Sequence, residues 1–164
     1  MSVDKIEEGK IQIRLTEFDI HELITTLIKE IKGGLKNQQK IWYIHEGESK
    51  IFLDLSLLKH IIINLISNAS KFSPEGGAIE IKTVVKGNDF ILTVKDKGIG
   101  ISVEDQKHLM QRFFRGSNAA NIQGTGLGLH IISKYTELMN GKVECKSELD
   151  KGTEFIITFN LKAN

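Results

Sequence analysis

The stretch that most constrains this chain runs His60-Ile61-Ile62-Ile63-Asn64-Leu65-Ile66-Ser67-Asn68-Ala69-Ser70-Lys71-Phe72. At about 100° per residue, Leu58, Ile61, Ile62, Leu65, Ile66 and Ala69 share one broad apolar face of a helix. His60, Asn64, Ser67 and Lys71 collect on the opposite stripe, and Asn68 sits at the border. Exposed helix faces ordinarily carry Glu and Lys. Asparagine is poor helix chemistry, because its amide competes with the backbone for hydrogen bonds. Two amides four residues apart are therefore either incidental surface groups or a polar strip for a ligand of mixed charge. In the second reading amide oxygens suit a hard cation and Lys71 suits an anion. Two glycine-rich stretches further along bear on that choice.

A chain of 164 residues allows one domain with a sizeable core. Lys+Arg 22 against Asp+Glu 21 leaves almost no net charge, so neither a nucleic-acid nor a membrane surface is expected. One cysteine and no signal-like start fit a reducing, cytoplasmic setting without disulfides. No apolar run approaches the roughly 18 residues of a spanning helix. The glycines cluster between residues 98 and 128, as in a functional loop rather than a linker.

Residues 1–9 read as the tail of a helix belonging to something upstream. Lys10 to Leu15 alternates and predicts a strand. Phe18-Asp19-Ile20-His21-Glu22-Leu23 signals a helix start: Asp19 can cap, Glu22 can close the box, and Phe18 can staple onto Leu23. That helix should stop at Gly33-Gly34. Ile41 to Ile44 and Lys50 to Leu53 predict strands, followed by the helix Ser56 to Phe72 and a turn at Pro74-Glu75-Gly76-Gly77. Ala78 to Val85 and Asp89 to Lys95 form a hairpin about Gly87-Asn88. Val103 to Phe113 predicts a helix, Arg115 to Gly126 a loop, and Leu127 to Met139 a helix ended by Asn140-Gly141. Lys142 to Ser147 and Thr153 to Leu161 close the chain as a second hairpin. The mixture predicts an α+β two-layer sandwich, a mixed sheet of about five strands packed on three helices.

Asp96-Lys97-Gly98-Ile99-Gly100 follows a strand rich in Ile, Leu and Val. A carboxylate at a strand end, then glycines, suits a buried acceptor that reads an amino group, although plain Asp-x-Gly turns are common. Gly124-Thr125-Gly126-Leu127-Gly128-Leu129 opens a helix and can turn backbone N–H groups toward phosphates. It lacks the Gly-Lys-Ser/Thr ending of a Walker loop, and no strand leads into it as a dinucleotide fingerprint requires.

Taken in order, Asn64/Asn68/Lys71, Asp96/Gly98/Gly100 and Gly124/Gly126/Gly128 resemble the N box and the two glycine boxes of sensor histidine kinases. Phe113-Phe114-Arg115 occupies the place of that family's phenylalanine box, and Leu138 to Phe155 resembles its closing hairpin. The resemblance covers nearly the whole chain from about Lys5. It implies a Bergerat-type ATP-binding fold, shared with gyrase, heat-shock chaperone and mismatch-repair ATPases. The implied division is a remnant of an upstream dimerisation helix at 1–9 and a catalytic domain at 10–164, with a lid at about 100–124.

Carried over residue by residue, the resemblance implies ATP and Mg²⁺ as cofactors. Asn68 is then the metal ligand; Asn64 and Lys71 contact phosphate oxygens and serve the chemistry; Phe72 packs on the adenine. Asp96 accepts the adenine amino hydrogen beside Ile101, with Gly98 and Gly100 permitting close approach. Gly124, Thr125, Gly126, Leu127, Gly128 and Leu129 cradle the phosphates, and Arg115 reaches the γ-phosphate or stays on the surface. The implied partners are a dimerisation domain with a phosphoacceptor His, absent from this chain, and a response regulator. The parent would be dimeric and membrane-anchored, with this domain in the cytoplasm.

Two features depart from the family pattern. Asp150 stands where the family often has Gly. His21-Glu22-Leu23 mimics an acceptor motif, yet that motif continues to a Pro, and the only Pro here is Pro74. Rival readings are a hydrolytic ATPase of the same superfamily, which would place a Glu at position 64 as general base, and a nucleotide-sensing pseudokinase. Cys145, Trp42 and Tyr43 are expected to be packing and edge residues.

Overall fold

The computed structural model describes residues 12–35, 38–106 and 127–161. Seven strands and four helices occupy these segments. In order they are β1 (Thr16–Asp19), α1 (Ile20–Ile31), β2 (Lys40–Gly47), β3 (Lys50–Leu53), α2 (Leu55–Phe72), β4 (Ala78–Lys86), β5 (Asp89–Asp96), α3 (Val103–Gln106), α4 (Leu127–Leu138), β6 (Lys142–Glu148) and β7 (Gly152–Asn160). A single 3₁₀ turn, Lys32–Gly34, ends α1.

Five strands form one sheet in the order β2-β4-β5-β7-β6, with β2 parallel to β4 and every other pair antiparallel. This is the expected α+β two-layer architecture with a mixed sheet. Alternation along each strand turns one face toward the helices. Ile79 and Ile81, then Phe90, Leu92 and Val94, then Phe155, Ile157 and Phe159 are buried on that face. Phe90 and Phe159 are cross-strand partners and stack at 5.9 Å. The helical layer answers with α2, whose Leu57, Leu58, Ile61, Ile62, Leu65, Ile66 and Ala69 are all buried. Helix α4 packs beside α2 and against β6.

Sequence and structure part at the start of the chain. The strand expected over Lys10 to Leu15 is instead β1, and residues 12–15 carry no regular structure; Lys10 and Ile11 lie outside the described residues. The reason is the length of the partner. β1 pairs with the four-residue β3, from Thr16 opposite Leu53 to Asp19 opposite Lys50. Before Thr16 the chain passes that strand's end, and the Arg14 N–H is taken by the Asp54 carboxylate at 2.8 Å. The separate β1–β3 ribbon was not foreseen. Asp19 caps α1 as expected, accepting from the Glu22 N–H at 2.9 Å. Of the expected Val103 to Phe113 helix, α3 is the described part; residues 107–126, and with them the expected loop and most of the lid, lie outside the described residues.

Asp54 does two jobs at the head of the central helix. Its Oδ1 accepts the Leu57 N–H at 3.0 Å and its Oδ2 holds Arg14. Losing a cap of this kind costs about 1 kcal/mol, and stranding a partly buried N–H adds a similar amount. Asp54→Ala is therefore expected to lower unfolding stability by about 2 kcal/mol in urea titration. Asp54→Asn, which keeps an acceptor for Leu57 but turns an NH2 donor toward the Arg14 N–H, should lose about half of that.

Candidate functional site

The register of the sheet explains how a carboxylate comes to be buried. Asp96 is the last residue of β5, and the two-residue period places it on the inner face with Leu92 and Val94. Its cross-strand partners are Ile79 and Thr153, and Thr153 is in turn opposite Ser147. A polar corner thus forms at one end of an apolar face. Asp96 is 5% exposed and accepts the Gly98 N–H at 2.9 Å. Burial pushes its carboxyl up to about 6, against the opposing pull of the Gly98 and Thr153 backbone N–H groups. The folded state holds this proton more tightly than the unfolded chain. The stability it contributes is present below about pH 4 and is lost as pH rises through about 6.

The loop after Asp96 is fastened on both sides. Ile99 N–H donates to the Phe72 carbonyl at the end of α2 at 3.1 Å, and Asp150 N–H donates to the Ile99 carbonyl at 2.7 Å. A Cβ on Gly98 would stand 2.0 Å from the Phe72 oxygen, and one on Gly100 1.9 Å from the Glu148 oxygen. Both glycines thus have a packing reason of their own: they let three stretches of main chain meet. Ser147 Oγ accepts the Ile101 N–H at 2.7 Å, and Gln106 Nε2 donates to the Ile101 and Ser147 carbonyls. On the other side Asp150 takes φ +64, the left-handed conformation that suits the glycine of the family pattern and that Asp tolerates.

Asn68, Phe72, Asp96, Ile101 and Leu129 line one pocket together with Leu65, Ala69, Val94, Thr153 and Phe155. Its wall is apolar apart from Asn68, Asp96 and Thr153. The Asn68 Nδ2 is buried and has no hydrogen-bond partner. An orphaned amide donor costs about 1–3 kcal/mol unless a ligand meets it. Asn64 and Lys71 are not in this wall but on the outer stripe of α2, half-buried and exposed respectively. Asn64 Nδ2 donates to the His60 carbonyl one turn back at 2.8 Å, a bond that presets the amide and leaves its oxygen to other partners. The second glycine stretch enters the described residues only with Leu127 and Gly128, where α4 begins; Arg115, Gly124, Thr125 and Gly126 lie outside them.

Several contributors were missed in the sequence. Gln39 is buried, and its Nε2 donates to the Ser70, Ser73 and Pro74 carbonyls while its Oε1 accepts from Ser70 Oγ at 2.6 Å. It closes the end of α2 that carries Lys71 and Phe72. No local pattern announces it, because its partners are over thirty residues away. Asp54 could have been found, since it is a capping residue directly before an apolar-periodic run. His21 lies exposed in the first turn of α1, its ring 5.5 Å from Tyr43 and 6.2 Å from His45. Cys145 is half-buried, and burial followed by the nearby Asp96 charge pushes its thiol up to about 11, which disfavours the thiolate at neutral pH.

The pocket is an apolar slot with one buried carboxylate and one orphaned amide donor in its wall. Among the described residues no group of three or more His, Cys, Asp or Glu could hold a metal. A cation here would rest on an amide oxygen and on the ligand's own phosphates, which Asn68 at the pocket border permits.

Comparison with known proteins identifies the family. The family described as "Histidine kinase-, DNA gyrase B-, and HSP90-like ATPase" matches residues 53–163. The sensor protein KdpD of Clostridium acetobutylicum is 33% identical over 98% of this chain, and the histidine protein kinase DivJ of Caulobacter vibrioides is 30% identical over 93%. The chain spans 18% and 26% of the lengths of these two relatives. Among solved structures, the catalytic domain of histidine kinase ThkA superposes with a TM-score of 0.74 at 27% identity, over 90% of this chain and 96% of that one. The Acinetobacter baumannii histidine kinase AdeS shares the fold, with a TM-score of 0.78 at 22% identity over 98% of this chain and 74% of that one. The chain belongs to the histidine kinase-, DNA gyrase B- and HSP90-like ATPase family, and the members it resembles are the ATP-binding catalytic domains of sensor histidine kinases.

Proposed function

We propose that this chain binds ATP with Mg²⁺ and presents the γ-phosphate to a histidine on a dimerisation domain outside it, for onward transfer to a response regulator. The observation that carries the reading is the pairing of buried Asp96 with the orphaned Asn68 amide in one apolar pocket beside Phe72. Asp96 accepts from the adenine amino group, and Phe72 and Ile101 cover the base. Asn68 gives its amide oxygen to Mg²⁺, which neutralises phosphate charge. Asn64 and Lys71 hold phosphate oxygens, joined by Gly124 to Leu129 and by Arg115 from a lid at about 100–124. The parent is dimeric and anchored to a membrane. Among the described residues no helix is long and apolar enough to cross one.

A hydrolytic ATPase needs a base where Asn64 stands, and an amide cannot take a proton from water. That separates the two enzyme readings by experiment. The chain alone is expected to bind ATP yet turn it over far more slowly than the roughly 1–10³ per second of ordinary enzymes. Radiolabelled γ-phosphate should not appear on it, His21 included, but should appear on phosphoacceptor helices supplied in trans. Ordinary turnover by the chain alone would overturn the kinase reading.

The metal assignment is checked by Asn68→Ala. Calorimetric titration with ATP should lose the difference between Mg²⁺ and EDTA, while circular dichroism stays that of the parent.

Base choice follows from Asp96. Guanine puts a carbonyl oxygen where adenine has an amino group, and two facing acceptors in a dry pocket cost about 1–3 kcal/mol, one to two decades in affinity. ATP should therefore outbind GTP, and Asp96→Asn should narrow the gap. Because the amino group selects the ionised carboxylate, affinity for ADP should fall as pH drops below about 6. Phosphate titration acts on both proteins alike, so the excess fall over Asp96→Asn isolates the carboxylate.

A further inference from the structure

The sheet has two edges, and they are built differently. β6 presents Lys142, Glu144, Lys146 and Glu148 as its exposed residues, an alternating charge row of the kind that protects an edge from pairing. β2, the other edge, presents Lys40, Trp42, Ile44 and Glu46. Trp42 is 59% exposed and Ile44 61% exposed, side by side on the face the helices leave bare. Among the described residues β2 pairs with β4 alone. An eight-residue edge with two large apolar groups and no central charge is an open template for another strand.

The backbone parity of this edge can be read. Lys40 N–H donates inward to the Gly77 carbonyl at 3.1 Å, in parallel register with Ala78. In a parallel ladder alternate residues turn both polar groups to the partner. Lys40, Trp42, Ile44 and Glu46 therefore bond to β4, and Ile41, Tyr43 and His45 offer theirs to the outside. An antiparallel copy of β2 centred on Tyr43 satisfies every requirement at once. Outward residues face outward residues, Tyr43 opposite Tyr43 and Ile41 opposite His45, as hydrogen-bonded pairs. The closer, non-bonded pairs are then Trp42 with Ile44 and Lys40 with Glu46. The strand is self-complementary in both charge and apolar contact. Glu46 already lies 3.4 Å from Lys82, so the second Lys40 would join an existing ion pair.

We propose that β2 is a homotypic docking edge, pairing antiparallel with β2 of a second copy of this chain to join two five-stranded sheets into one. The contact is independent of the nucleotide pocket, since none of Lys40, Trp42, Ile44 and Glu46 lines it. A single strand pair buries less than the about 1,200 Å² of a stable complex, so the dimer is weak and reversible.

Trp42 is the only tryptophan of the chain, which gives a direct reporter. Sedimentation equilibrium up to high protein concentration should show a monomer–dimer equilibrium, and dilution should red-shift Trp42 emission as the ring leaves Ile44 of the second copy. Ile44→Lys, Lys40→Glu and Glu46→Lys should each weaken dimerisation by about tenfold or more. Lys40→Glu combined with Glu46→Lys should restore it, because the cross-strand charges are again opposite. ATP affinity and circular dichroism should be unchanged throughout. A monomer at every concentration with constant emission overturns the proposal. So does a dimer that survives Ile44→Lys, or one that the double reversal fails to rescue.

Discussion

One main-chain hydrogen bond ties the end of α2 to the loop after β5: the Ile99 N–H to the Phe72 carbonyl. It can form only because Gly98 has no Cβ, which would otherwise lie on that oxygen. Through it the last turn of α2, carrying Asn68, Lys71 and Phe72, is held against the loop that follows Asp96. Gln39 fastens the same helix end through the Ser70 carbonyl, and the loop is secured by Ser147 of β6 and by Asp150 in the turn after it. A pocket whose walls come from a helix, a strand end and a hairpin depends on these few main-chain contacts for its width. Ordinary side-chain packing could not bring backbones so close.

The polar corner is costly in isolation, and that cost is informative. Ionised Asp96 on an apolar sheet face is disfavoured by desolvation, and two backbone N–H groups offset only part of it. The orphaned Asn68 amide is a second uncompensated group nearby. Stable folds avoid such pairs unless a ligand completes them. Sites whose local chemistry opposes stability are where binding is expected to act.

The sheet was nearly complete in the sequence because two-residue alternation and glycine turns are local signals. Ala78 to Val85 and Asp89 to Lys95 match β4 and β5 to within a residue. The helix Ser56 to Phe72 matches α2 within one residue, with every apolar position of the stripe buried. Failure came where length is set by a partner. Residues 12–15 of the expected strand lie beyond the end of β3, and β1 begins only where β3 lies alongside.

The order of residue types by itself determined the amphipathic helix with its asparagine strip, the strand ending in a carboxylate, and the family to which these belong. Periodicity and turn chemistry act over a few residues, so they survive without coordinates. Helical spacing already put Asn64 and Lys71 on the outer stripe and Asn68 at its border. Only the tertiary structure decided that Asn68 and Phe72 line a pocket together with Asp96. It also decided that Gly98 and Gly100 serve backbone contact, that Gln39 closes a helix over thirty residues away, and that β2 and β6 are the two edges of the sheet. Each of these depends on which distant segments meet, and helical or strand periodicity carries no information about that.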